Sequence, residues 1–184
     1  MKNRFALFCV VCLLSLSACS TNGQVMQPTE TSSSTTQAAQ YPNTDAGFRK
    51  LIIAARFDND VVASLEPNAA DYAAVFEPEF AAKAEKMYEE WIWSKPTATL
   101  DVDPEKTEIK VAKATTDAIR DWPNEVSEEF PGGYERVAPY LKPGTTIYQW
   151  EYLEPGEVLG MAYDGMAYVN GRWVWFPKPW RALD

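Results

Sequence analysis

The dipeptide Asn170-Gly171 constrains this 184-residue chain more than any other feature. Both residue types tolerate positive φ, and between two apolar runs they call for a two-residue type I′ hairpin turn. That turn sets Val169 opposite Arg172, and the register runs back from there. Opposite residues share a face. Met166, Tyr168, Trp173 and Trp175 fall on one side of the hairpin, and Ala167, Val169, Val174 and Phe176 on the other. Both faces are apolar, whereas an antiparallel sheet with one wet face alternates apolar and polar residues. One face is therefore expected to pack on helices. The other has to be covered by the curl of the sheet itself, by the end of the chain, by a partner or by a ligand.

The segments upstream supply the helices. Phe48, Leu51, Ile52 and Ala55 recur at spacings of three and four, an amphipathic stripe with Thr44 or Asp45 as its cap. Phe57, Val61, Val62 and Leu65 continue it across a break at Asp58-Asn59-Asp60. After Pro67, Asn68 and Asp71 imitate a capping pair for a short helix around Tyr72 and Phe76. Pro78 suits a first helical turn, and Phe80, Ala84, Met87, Tyr88 and Trp91 form the stripe that follows, closed by Lys95-Pro96. Thr107, Ile109 and Val111 alternate with Glu108 and Lys110 and read as a strand. Thr115 to Trp122 is either a short helix or more of that strand. Pro131-Gly132-Gly133 breaks the chain before a turn or two of helix at Tyr134 to Leu141. Thr145–Glu154 and Glu157–Tyr163 are further strand candidates, and Asp164-Gly165 is a turn or a bulge.

The fold class is thus α+β, with N-terminal helices packed on a curved C-terminal antiparallel sheet. This element order resembles the cystatin-like cone of the NTF2-like proteins, which implies a sheet curled around helices with a pocket inside it. A plain two-layer α+β sandwich is the alternative.

The N-terminus reads as a targeting device. Lys2 and Arg4 precede an apolar run from Phe5 to Leu16. The run is too short to cross a bilayer as a helix and has the size and flanks of a secretory h-region. Leu16-Ser17-Ala18-Cys19 then resembles the lipobox of bacterial lipoproteins. The resemblance implies that residues 1–18 are a signal peptide and that Cys19 becomes the lipidated, palmitate-bearing first residue. Ser20 in place of Asp implies sorting to the outer membrane of a Gram-negative envelope, facing the periplasm. Several acyl chains give stable attachment where one does not. Cys9 and Cys12 leave with the signal, so the mature chain is expected to fold without a disulfide. Residues 19–44 comprise the anchor and a Ser/Thr/Gln-rich tether with too little apolar area to offset chain entropy, spanning about 28 Å as a coil. Residues 45–184 form a single globular domain.

Charge and composition narrow the chemistry. The formal charge is −9, from 17 basic and 26 acidic residues. Phosphate backbones require clustered Lys and Arg, so no nucleic-acid partner is expected. There is no His, which removes His-based triads and His-ligated metals. Asp101, Asp103 and Glu105 lack the glycine and closing Glu of a calcium loop and read as a solvated acidic segment. No cofactor, metal or catalytic residue is assigned.

Two function classes remain. The first is a non-catalytic binding or scaffold module for a protein, a peptide or a small apolar ligand. The alternative is a carboxylate-based enzyme with its site inside the curved sheet. The candidate ligand or partner surface is Trp150, Tyr152, Tyr168, Arg172, Trp173 and Trp175, with Trp180 in the tail. Against it stands the reading that these rings are core, since Trp and Tyr favour strands and bury large areas. The tail from Phe176 to Leu183 is either a latch on the domain or an exposed strip.

Overall fold

A computed structural model describes residues 36–95 and 100–184. The signal segment, Cys19 and the chain up to residue 35 lie outside the described residues. A helical turn at 36–40 leads to helix α1 (Asp45–Ala55), where the Thr44 hydroxyl accepts the Gly47 N–H at 3.0 Å. Then come α2 (Asn59–Ala63), α3 (Ala69–Val75) and α4 (Pro78–Tyr88), the last running into a π-helical turn at Glu89–Trp93. Strand β1 (Glu108–Thr115) passes directly into α5 (Thr116–Arg120), because the Thr115 hydroxyl caps the helix by accepting the Ala118 N–H. Short helices α6 (Val126–Glu129) and α7 (Gly133–Val137) precede β2 (Thr146–Leu153), β3 (Met161–Val169) and β4 (Arg172–Trp175). A 3-10 turn, Pro179–Leu183, closes the chain. The four strands form one antiparallel sheet in sequence order.

The terminal hairpin has the register its turn dictates. Asn170 and Gly171 both have positive φ, 50° and 78°. Val169 faces Arg172, Tyr168 faces Trp173 and Met166 faces Trp175. Met166, Trp173 and Trp175 pack into one hydrophobic cluster with Phe48, Leu51 and Ile52 of α1 and with Val62 and Leu65 at α2. Ala167, Val169, Val174 and Phe176 enter a second cluster with Tyr72, Val75, Phe80, Ala84 and Tyr88 of α3 and α4 and with Tyr134 and Val137 of α7.

This arrangement corrects the expected architecture. The sheet is neither closed nor strongly curled, and no cone encloses the helices. The physical reason lies in how the helices divide. Because α1 and α2 cover one face and α3, α4 and α7 the other, both faces leave water without the sheet having to wrap on itself. Asp164-Gly165 is a bulge: two residues of β3 stand opposite Gln149, between the pairs Tyr148–Met166 and Trp150–Tyr163. Gly165 has φ 86°, and a Cβ there would come within 1.9 Å of the Phe176 carbonyl oxygen.

The two sheet edges are protected differently. Outside β4, the Gln37 side chain acts as a piece of strand: its Oε1 accepts the Trp173 N–H at 2.6 Å and its Nε2 donates to the Trp173 carbonyl at 3.3 Å. The Trp175 N–H reaches the Leu65 carbonyl at 3.0 Å. Gln37 and Tyr41 are buried, so the packed body begins near residue 37 and not at Asp45. The edge at β1 carries Glu108, Lys110 and Lys113, and Arg49 donates to the Ile109 carbonyl at 3.2 Å. Charges along an edge discourage pairing with another chain.

A buried ion pair holds the hairpin tip to the helices. Asp71 is fully buried, and the capping box with Asn68 is real: Asn68 N–H donates to Asp71 Oδ2 at 3.0 Å. Arg172 Nη2 lies 2.6 Å from the same oxygen, and Asn170 Nδ2 donates to Oδ1 at 2.8 Å. Arg172 Nη1 also donates to the Ser64 carbonyl at 3.0 Å. Breaking a buried pair strands a charge, typically at a cost of about 3–5 kcal/mol. Arg172→Ala should therefore lower the urea-unfolding free energy by about that amount; a loss below about 1 kcal/mol would show that the pair does not hold the tip. Gln37→Ala leaves the buried Trp173 N–H without an acceptor and should cost about 1–3 kcal/mol in the same assay.

Candidate functional site

The aromatic residues picked out as a candidate surface are mostly core. Trp150, Tyr152 and Trp173 are at most 1% exposed, and Trp175 is 7% exposed. The Phe48 ring lies edge-on to Trp150 at 5.7 Å and tilted to Trp173 at 5.3 Å. Three of these side chains spend their polar ends on backbone, Tyr152 donating to the Ile52 carbonyl at 2.7 Å, Trp173 Nε1 to the Tyr41 carbonyl at 2.9 Å and Trp175 Nε1 to the Asp164 carbonyl at 2.9 Å, while Trp150 Nε1 is buried without an acceptor. Tyr168 is half-buried with its ring edge-on to Trp173. Arg172 is held in the Asp71 cluster. The buried rings of the set do not line a pocket, because α1 packs on the face on which such a pocket would open.

The tail is a latch. Trp180 packs edge-on to Tyr134 at 5.4 Å and lies over Gly133, where a Cβ would meet the indole at 2.2 Å. The Arg181 guanidinium stands 4.4 Å from the Trp91 ring, and Arg136 pairs with Asp184 at 2.8 Å. Within the tail, Pro179 starts the 3-10 turn, and Lys178 before it takes a left-handed conformation with φ 49°.

One carboxyl sits in the core. Asp164, in the β3 bulge, is 5% exposed. Its Oδ1 accepts the Lys178 N–H at 2.9 Å and the Tyr134 hydroxyl at 3.2 Å. Burial pushes its pKa up to about 6, against the lowering effect of those two donors and of the Lys178 charge. The phenols of Tyr88 and Tyr134 are raised well above their ordinary value by the same desolvation, with the Asp164 charge adding to it. An elevated carboxyl suits a general acid. The local geometry makes this one a fastener instead. Asp164 ties the bulge to the start of the tail, and Tyr88 donates to the Pro177 carbonyl beside it at 3.0 Å. The surface depressions lie elsewhere. One of about 620 Å³ is bordered by Gln37, Asp60, Glu66, Glu85 and Arg172. Another of about 410 Å³ lies between Lys83, Trp91 and Arg181. Among the described residues no group of acidic or thiol side chains is arranged to hold a metal ion.

The unsatisfied surface is at the end of the sheet away from the hairpin turn. Val158 and Leu159, in the β2–β3 loop, are 81% and 82% exposed, and Phe57, just past α1, is 77% exposed. Ile53 and Met161 are also exposed, so five of the six large exposed hydrophobics among the described residues lie on α1, just past it or at this loop. The residues around them are ordered by contacts. Arg56 is sandwiched 5.2 Å from the Phe57 ring and 5.0 Å from the Tyr152 ring, and donates to the Asp103 carbonyl at 3.2 Å. Its Nε is buried without an acceptor. Tyr163 stacks on Trp150 at 5.3 Å and donates to Met161 Sδ at 3.0 Å. Burial raises the Tyr163 phenol, and the nearby Asp101 charge adds to that.

The pattern of the sequence hides this surface. Glu157 to Tyr163 reads as strand, which would place Val158 or Leu159 on a packed face. In the structure, Glu154-Pro155-Gly156-Glu157 is a turn, closed by the Glu157 N–H on the Glu154 carbonyl at 3.0 Å with Gly156 at φ 84°. The strand therefore starts only at Met161. The signal that was available is the Pro-Gly pair followed four residues later by Gly160.

Asp164 supplies a signed pH test. Its folded pKa is raised above the unfolded value, so its contribution to stability is fully present below about pH 4 and is lost as pH rises through about 6. The stability difference Asp164→Asn minus wild type should therefore grow by about 1–3 kcal/mol between pH 4 and pH 7.5, read from urea titrations at each pH. A difference that stays flat with pH would show that the carboxyl is not desolvated.

Comparison of the chain with protein-family models, with curated proteins and with solved structures finds no match.

Proposed function

We propose that this chain is an envelope lipoprotein, anchored through lipid on Cys19 at the outer membrane and facing the periplasm, whose domain is a non-catalytic binding or scaffold module. The anchor reading is carried by the basic start, the short apolar run and Leu16-Ser17-Ala18-Cys19. The binding reading is carried by the distribution of apolar side chains. Both sheet faces are filled by helices, while Val158, Leu159 and Phe57 remain in water. A patch that folding leaves exposed at one end of a well-packed body is a common mark of an interaction site. The carboxylate-enzyme alternative has its strongest support in Asp164, but that group accepts hydrogen bonds that fasten the tail and borders neither of the two depressions beside Arg172 and Arg181.

The anchor is tested in a Gram-negative host with radiolabelled palmitate. The full chain should take up label and sediment with membranes. Cys19→Ser should lose the label and remain unprocessed or soluble. Equal labelling and equal membrane retention of Cys19→Ser would overturn the reading.

A further inference from the structure

We propose that the end of the sheet bearing Val158, Leu159 and Phe57 docks a partner protein through an apolar segment flanked by Lys or Arg. This deepens the binding reading above and depends on it only for the compartment in which the partner is met.

Three observations carry it. First, the exposed aliphatics sit on a loop pinned at both ends and not on a frayed one. The turn at Glu154–Glu157 is hydrogen-bonded, and Lys106 pairs with Glu154 at 3.2 Å. Gly160 lies so close to the Tyr152 carbonyl that a Cβ would stand 2.3 Å from it. A fixed apolar tip loses little entropy on docking. Second, the exposed charge around the tip is mainly acidic. Asp101, Asp103, Glu105 and Glu157 are exposed and make no ion pair among the described residues. Two cations lie among them, Lys106 paired with Glu154 and Arg56 packed between two rings and donating to the Asp103 carbonyl. Electrostatic complementarity therefore selects a cationic rim on the partner, and repels an anionic lipid surface. Third, the β2–β3 loop that carries Val158 and Leu159 lies away from the start of the packed body, whereas Phe57 is nearer to it, its neighbour Asp58 bordering the same depression as Gln37 and Tyr41. Gln37 is fastened to Trp173 beside the hairpin turn, whereas Met161 begins β3 at the other end. From Met161 to Tyr168, which faces Trp173, the separation along β3 is roughly 23 Å. A body tethered through its N-terminus presents this loop away from the tether.

The test is photocrosslinking in cells that make the full chain, with a photoreactive residue at position 159 or 57 and, as the control, at the exposed Tyr140. Adducts to a protein are expected at 159 and 57 and not at 140. The crosslinked partner peptide, mapped by mass spectrometry, should carry apolar residues flanked by Lys or Arg. In the chain probed at position 57, Val158→Ser/Leu159→Ser should reduce the adduct about tenfold or more. Asp101→Lys/Glu157→Lys should reduce it several-fold, with the urea midpoint of each variant unchanged. No adduct, an adduct to lipid, an acidic crosslinked peptide, or an adduct indifferent to the charge reversal would each overturn the proposal. Membrane sedimentation of the same extract reports separately on the anchor, so failure of the docking surface and failure of the anchor are told apart.

Discussion

The structure depends on one requirement: both faces of the β3–β4 hairpin must be removed from water. Trp173, Trp175 and Met166 on one side and Val174, Phe176 and Ala167 on the other are all buried. Aromatic side chains of this size bury on the order of 150–250 Å² each, so leaving either face wet would forfeit much of the hydrophobic driving force. The chain meets the requirement by sending its first two helices to one face and the next helices, with the tail, to the other. Each helix pattern is amphipathic, and each has only one apolar stripe to bury. The result is a sheet sandwiched between helical layers.

Polar groups then decide how the layers are joined. Asp71 completes the capping box of α3 by accepting the Asn68 N–H and receives Arg172 and Asn170 from the hairpin tip, so one carboxylate serves the helix and the turn together. Gln37 closes the β4 edge with its side-chain amide and brings the N-terminal part of the described chain onto the sheet. Asp164 binds the bulge to the tail. These are the positions where a buried donor or acceptor would otherwise be stranded. They differ in character: the Asp71 pair is charge on charge, the Gln37 pair is neutral, and Asp164 is a carboxyl whose desolvation is only partly relieved by two donors.

Much of this was legible residue by residue. The helical stripes at Phe48–Ala55 and Phe80–Tyr88, the cap at Asn68, the strand at Glu108 and the hairpin register all follow from spacing and turn chemistry. The curl of the sheet did not follow. Two apolar faces state that something must cover each, and nothing in a periodicity says whether that cover is a helix, the sheet itself or a ligand. The aromatic set was visible as a set, but a Trp in a strand has the same spacing whether it lines a pocket or packs beneath a helix. Gln37 and Tyr41 sit in a polar stretch with no apolar stripe, and only their tertiary contacts show that they belong to the packed body. Val158 and Leu159 read as strand because two aliphatics beside each other look like core until the loop around them is placed.

The sequence alone determined most of the elements, the hairpin register and the need to bury two faces, because turn chemistry and side-chain alternation act over a few residues. It also carries the whole case for the anchor, which rests on Cys19 and the residues before it. The tertiary structure decided which helix goes to which face, which rings become core, which carboxylate is buried beside Arg172 and which aliphatics stay in water. Those outcomes depend on contacts between segments up to 136 residues apart, such as Gln37 with Trp173. No local pattern encodes them, because the free energy that selects them exists only once the layers have met.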